Sequence, residues 1–159
     1  MRSRHLWLLL VLISIAGCAS ANGGTALYRR DIGTASGPDA VTLAEQVINR
    51  RGYEVEHVET TPEIRMLTKW KQRRPLADEQ ALGITAAESR IIVVGRQRGQ
   101  TEMGSFYSIN MTIENRVRVA GSPDWNEALN TEMFRAYADE ISEDYRQLIT
   151  NIGVRRFCC

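Results

Sequence analysis

The sequence predicts an α+β domain: an antiparallel sheet of about four strands packed against a short N-terminal helix and a long C-terminal helix. Three patterns carry that reading. Tyr107, Ile109, Met111, Ile113, Val117 and Val119 fall on odd positions, with Ser108, Asn110, Thr112, Glu114, Arg116 and Arg118 between them. That is the two-residue period of a strand with one wet face. Ile91-Ile92-Val93-Val94 is apolar at both parities, as a central strand requires. Trp125, Leu129, Phe134, Tyr137, Ile141, Tyr145, Leu148 and Ile152 recur at three- to five-residue steps, the stripe of a long amphipathic helix.

The first seventeen residues are read apart from that domain. Arg2, Arg4 and His5 make a short positive start, and Trp7 to Ala16 is an apolar run interrupted only by Ser14. The run is about ten residues long, whereas a spanning helix needs roughly 20. Its length and flanks are those of a signal peptide. Ile15-Ala16-Gly17-Cys18 follows and resembles the bacterial lipobox: an aliphatic residue, two small residues, then Cys. The resemblance implies that Cys18 becomes the first residue of the mature chain and carries acyl chains, palmitate among them. One chain binds a bilayer only marginally, while two or three anchor it stably. Ala19 after the Cys implies, by likeness to the enterobacterial sorting rule, the outer membrane with the domain facing the periplasm. Ala19-Ser20-Ala21 is also an A-x-A cleavage site, under which Cys18 is lost and the protein is soluble in the periplasm or secreted.

Residues 18–38 are rich in Ala, Gly, Ser and Thr and lack sustained periodicity, so they read as a lipid-anchored flexible tether. Leu27-Tyr28 is the part of it suited to dock on the domain. The single domain is expected over 39–153. Val41, Ala44, Val47 and Ile48 form one helical stripe, stopped by Gly52 where a left-handed cap would sit, with Arg50 and Arg51 in the last turn. Tyr53 to Glu59 and Ile64 to Lys71 alternate on either side of Thr60-Thr61-Pro62, the pattern of a hairpin. Residues 72–89 read as an irregular excursion with a helical turn near Ala77 to Leu82. Arg90 to Gln97 is the third strand, and Phe106 to Val119 the fourth, with a bulge expected at the polar Asn115. Ser122 and Pro123 are candidate N-cap and first residue of the long helix, which has a weak point near Asn130 and ends at Gly153. Residues 154–159 form a tail.

Composition narrows the function. Without residues 1–17 the chain holds eighteen basic and nineteen acidic residues, a formal charge of −1. That balance gives no electrostatic case for nucleic acid. About 142 residues are one domain's worth and bury a core without disulfides. The terminal Cys158-Cys159 pair resembles a prenylated Rab tail, but the chain has no GxxxxGK[ST] phosphate loop. In an oxidising compartment the pair would cross-link to another chain, form a vicinal disulfide, or lie in a frayed end.

No catalytic constellation can be assembled. His57 is the single histidine after the signal, so neither a metal site nor a Ser-His-Asp triad is expected, and no cofactor. Asp139, Glu140, Glu143 and Asp144 read as the solvated side of the long helix. The one chemical candidate is basic: Lys69, Lys71 and Arg73 after the second strand, with Arg116 and Arg118 on the wet side of the fourth. Converging, they would take an anionic lipid, lipopolysaccharide or an acidic partner protein; the alternative is ordinary surface charge paired with acids. Trp70 and Trp125 are expected in the core; half-exposed beside the basic cluster, either would be an interface anchor.

The order "short helix, Gly52-Tyr53-Glu54-Val55, turn, Ile64 to Trp70, strands from Arg90 and Phe106, long helix after Ser122" resembles the helix-grip domains of outer-membrane-assembly lipoproteins similar to BamC, over residues 39–152. That resemblance implies a non-enzymatic envelope module that binds or scaffolds a partner protein, accessory to outer-membrane assembly. A carrier holding lipid or lipopolysaccharide between sheet and helix is the alternative, and an envelope hydrolase built on His57 the third reading.

Overall fold

In chain order the elements are β1 (Tyr28–Ser36), α1 (Gly37–Arg50), β2 (Val55–Glu59), β3 (Ile64–Thr68), β4 (Lys71–Arg73), α2 (Ala77–Ala81), β5 (Ile84–Thr101), β6 (Gly104–Val119), β7 (Asn126–Glu127) and α3 (Glu132–Phe157). The computed structural model describes residues 27–101, 104–127 and 130–157. The class is α+β, as predicted, but with a seven-stranded antiparallel sheet and three helices. Strand order is β1-β6-β5-β3-β2, with β4 beside β5 and β7 beside β6. The helices α1 and α3 cover one face. The other face of the β5–β6 ribbon carries no helix among the described residues.

The strands beyond the expected four have physical reasons for escaping the sequence. Residues 28–36, within the stretch read as tether, form β1 and pair with β6 from Tyr28↔Ile113 to Ser36↔Phe106. A register shift between Asp31 and Gly33, where Gly33 takes φ 130°, changes the parity in mid-strand. Ile32 and Ala35 are therefore both buried although three residues apart, and no alternation shows. Residues 28–36 thus belong to the sheet, ahead of Asp39. The supposed excursion at 72–89 holds β4, α2 and the start of β5, which runs 18 residues. β7 is two residues opposite Val117 and Arg116.

The helix α1 starts where Ser36 Oγ accepts from Asp39 N at 3.4 Å, and it buries Ala40, Leu43, Ala44, Val47 and Ile48. Gly52 follows at φ 69°, as its cap position predicted. The helix α3 begins at Glu132, ten residues later than its predicted N-cap Ser122. Thr131 Oγ1 accepts from Phe134 N at 3.2 Å and Asp78 Oδ2 from Met133 N at 2.9 Å, so two otherwise orphan donors are satisfied here. Ser122 instead closes a turn, its N–H donating to Val119 O at 3.1 Å. The helix passes through Gly153 to Phe157, taking in most of the expected tail.

The acids of α3 are tied down rather than free. Arg30 pairs with Asp139, and Arg51 reaches Asp144 and Glu140, each at 2.9 Å. These pairs clamp β1 and the end of α1 onto α3. Asn115 makes no bulge, since its pairing with Ser89 lies in continuous register. It is a buried polar residue on the core side, with partners described below.

The core is the odd-numbered side of β5 and β6 against α1 and α3. Ile64, Met66, Ile91, Ile109, Met111, Ile113, Phe134, Ile141 and Tyr145 are at most 1% exposed. Gly95 lies in register between Ile64 of β3 and Ile109 of β6. A Cβ there would stand 3.0 Å from both Ile64 Cβ and Ile109 Cδ1. Gly95→Ala is therefore expected to lose about 1–3 kcal/mol by overpacking; an unchanged thermal midpoint would show that the strands yield.

Candidate functional site

The long β5–β6 ribbon sets out a row of charges on its open face. Even-numbered residues point there, and pairing puts Arg90 opposite Glu114, Glu88 opposite Arg116, and Ala86 opposite Arg118. Opposite charges facing across strands attract by about 0.2–1 kcal/mol. Arg90 Nε meets Glu114 at 2.5 Å, and Arg116 Nε donates to Glu88 at 2.7 Å.

Two tryptophans interleave with this row. Trp70 lies in the two-residue gap between β3 and β4, and Trp125 just before β7. The guanidinium of Arg90 lies 4.6 Å from the centre of the Trp70 ring and that of Arg116 4.1 Å. Arg116 is also 5.1 Å from Trp125, and Arg118 4.5 Å. The result is a ladder: Arg90, Trp70, Arg116, Trp125, Arg118. Each step contributes on the order of 0.5–1 kcal/mol, and together they hold the aromatic rings in place. Both tryptophans are half-buried.

The ladder borders two clefts with Trp125 as their common wall. One, of about 270 Å³, is lined by Leu27, Trp70, Arg90, Glu114, Arg116 and Glu127. The other, of about 290 Å³, lies at the corner formed by Gln72, Thr85, Ala86 and Arg118. Arg118 differs from its neighbours. Its Nε is buried without a hydrogen-bond partner, and among the described residues its guanidinium has no acid.

The five basic residues expected to converge do not. Lys69 is exposed and held by Glu54 at 2.6 Å; the same contact raises its ammonium above the ordinary range. Lys71 and Arg73 face the helices, on the opposite side of the sheet from Arg116 and Arg118. Lys71 donates to Arg51 O and sits 4.8 Å over the Tyr53 ring. Arg73 is buried against Glu79 at 2.5 and 2.7 Å and Asn115 at 2.8 Å. Two of the five, Arg116 and Arg118, do meet, with Arg90 as an unforeseen third.

Trp70 and Trp125, expected in the core, lie on the outer face. Trp70 has the parity of Ile64, Met66 and Thr68, but β3 ends at Thr68 and the break at Lys69-Trp70 turns it over. Trp125 precedes α3 instead of lying on it. The cross-strand Arg–Glu pairing was the signal available for Arg90, and it needed the register of β5 on β6.

His57 is 56% exposed with Nε2 3.4 Å from Glu59. Among the described residues no three His, Cys, Asp or Glu side chains are grouped to hold a metal. Cys18, Cys158 and Cys159 lie outside the described residues. No described helix is long and apolar enough to cross a membrane. No protein-family model matches the chain, and no curated protein does.

Proposed function

We propose that the chain is a cell-envelope lipoprotein, held by acyl chains on Cys18 at the periplasmic side of the outer membrane, whose domain is a non-catalytic binding module. Its recognising surface is the open sheet face, and its place in the envelope is as an accessory to outer-membrane assembly, the role that the likeness of its sequence pattern to helix-grip domains implies. The observation that carries this reading is the pair of half-buried tryptophans immobilised between Arg90, Arg116 and Arg118. Trp and Arg dominate the energetics of recognition surfaces, and rings already fixed in place lose little freedom on binding. The ladder is charge-balanced apart from Arg118, which suits specific contact better than non-specific attraction to anions.

The carrier alternative needs room between sheet and helices. The middle of that interface is filled by Ile48, Met66, Ile109, Phe134 and Tyr145, each fully buried. The room that exists is an open cleft of about 420 Å³ at the start of α1, lined by Pro38, Val41, Thr42, Ile64 and Tyr107, and its openness to solvent favours the surface reading over an enclosed lipid site. The anchor is tested by feeding cells a labelled fatty acid and comparing wild type with Cys18→Ser. Label on the wild type alone, with the variant released to the soluble fraction, is expected. Label retained on the variant, or a mature N-terminus at Asn22, would refute the anchor.

A further inference from the structure

We infer that the Trp70–Trp125 face rests on the headgroup layer of the bilayer that holds Cys18, and that it takes zwitterionic phospholipid headgroups, with Arg118 donating to the phosphate. The inference depends on the anchor proposed above and names the ligand of that module's open face. It starts from connectivity. Leu27 lines the Trp70 cleft, is 49% exposed and immediately precedes β1. Nine Cα–Cα steps, with eight residues between, separate it from Cys18. At roughly 3.5 Å per residue they extend no further than about 32 Å. Leu27, at the edge of the Trp70 cleft, therefore stays within that distance of the acylated residue, whatever path the chain follows. At such range a link of this length supplies a millimolar effective concentration, so a weak contact is populated.

Chemistry points to the kind of lipid. Tryptophan rings prefer the boundary between water and hydrocarbon, where the ring body is shielded and the indole N–H stays wet. Here two such rings and Leu27 sit on one open face. A surface built for anionic lipid would carry excess cations. This one pairs Arg90 with Glu114 and Arg116 with Glu88, and places Glu127 opposite Arg116. One guanidinium without an acid, Arg118 on Trp125, matches one phosphate. The carboxylate of Glu127, which borders the adjoining cleft, matches the headgroup's ammonium. A protein partner on the same face would have to be reached despite the bilayer held nearby by the anchor.

The test uses the tryptophans themselves. The chain has three, and Trp7 lies in the signal segment removed on maturation, so the acylated mature protein emits from Trp70 and Trp125 alone. It is purified in acylated form and placed in phosphatidylcholine vesicles with or without bromine on the acyl chains near the headgroup. With the face docked for most of the time, bromine is expected to remove about half or more of the emission, as a millimolar effective concentration allows. Quenching should be insensitive to salt and to added anionic lipid, and weaker in Arg118→Gln and Arg118→Lys. Trp125→Phe, which leaves Trp70 as the sole emitter, should still be quenched.

Protein that floats with the vesicles but keeps its full emission would overturn the inference and leave the anchor standing. Protein that does not float removes both. Quenching confined to vesicles containing anionic lipid would overturn the zwitterionic assignment. Tryptophans shielded from acrylamide in native membranes yet untouched by bromine would identify a protein occupant and overturn it as well.

Discussion

Glu79→Ala is expected to destabilise the domain by about 3–5 kcal/mol, the cost of leaving a buried charge without its partner. Glu79 is fully buried, and the Arg73 side chain it pairs with is 9% exposed. Both carboxylate oxygens receive Arg73, Oε2 also receives Leu76 N at 2.8 Å, and Oε1 receives Asn115 Nδ2 at 3.1 Å. Every polar atom of this carboxylate therefore has a donor. Removing it strands a guanidinium between Asn115 and Phe134. For a domain of this size the thermal midpoint should fall by about 10–20 °C. The triple variant Arg73→Met, Glu79→Leu, Asn115→Leu should recover much of the loss, because replacing a whole buried polar set with apolar side chains is often neutral. A Glu79→Ala loss below about 1 kcal/mol would show that water replaces the carboxylate at the site.

The same pair gives the domain an acid limit. Burial pushes the Glu79 carboxyl upward, but the bonds from Arg73, Leu76 N and Asn115 outweigh it and hold the group below the ordinary carboxylate range. A depressed folded-state value stabilises at any pH above the unfolded value, near 4.3 for Glu. That stability fades as pH falls from there through the folded value. In Glu79→Gln this part of the acid slope of the unfolding free energy should disappear, while the neutral-pH plateau drops.

How much of this could be read in the sequence depended on whether parity survived along the chain. It did in β6, where the odd set is the core face from Ile109 to Val117, and in α1, where Ala44, Val47 and Ile48 are buried as their spacing required. It failed wherever one residue reset the period: at the bulge by Gly33 in β1, and at the turn that flips Trp70. Short segments such as β4 and β7 are too brief to show a period at all. Asn115 is the instructive case. A polar residue within an apolar set suggested a bulge, whereas the chain keeps its register and gives that residue a buried carboxylate and guanidinium. The sequence shows the polar atom but not its partner, since Glu79 is 36 residues away. The candidate site was legible in part for the same reason. Arg116 and Arg118 followed from parity alone, while Arg90, Leu27 and the outward turn of both tryptophans required the pairing of β5 and β1 on β6.

Phe134 joins that polar cluster to the core, and Phe134→Ala is expected to cost about 3–5 kcal/mol. The ring is fully buried in the first turn of α3. It lies 5.1 Å beneath the Arg73 guanidinium and 6.1 Å from the Tyr137 ring, tilted by 43°. Truncation therefore removes packing volume and also the aromatic face that supports a desolvated cation, which is worth about 2 kcal/mol at such a site. Phe134→Leu separates the two contributions, because it keeps most of the volume and removes only the face. A cycle combining Phe134→Leu with Arg73→Met should show a coupling of about 1–2 kcal/mol. The effects should instead be additive when Phe134→Leu is combined with Gly95→Ala, since Gly95 lies between Ile64 and Ile109 and shares no contact with the Arg73 cluster. Additivity in the first cycle would mean that Glu79 and Asn115 alone hold Arg73, and the loss in Phe134→Ala would then be a matter of cavity volume.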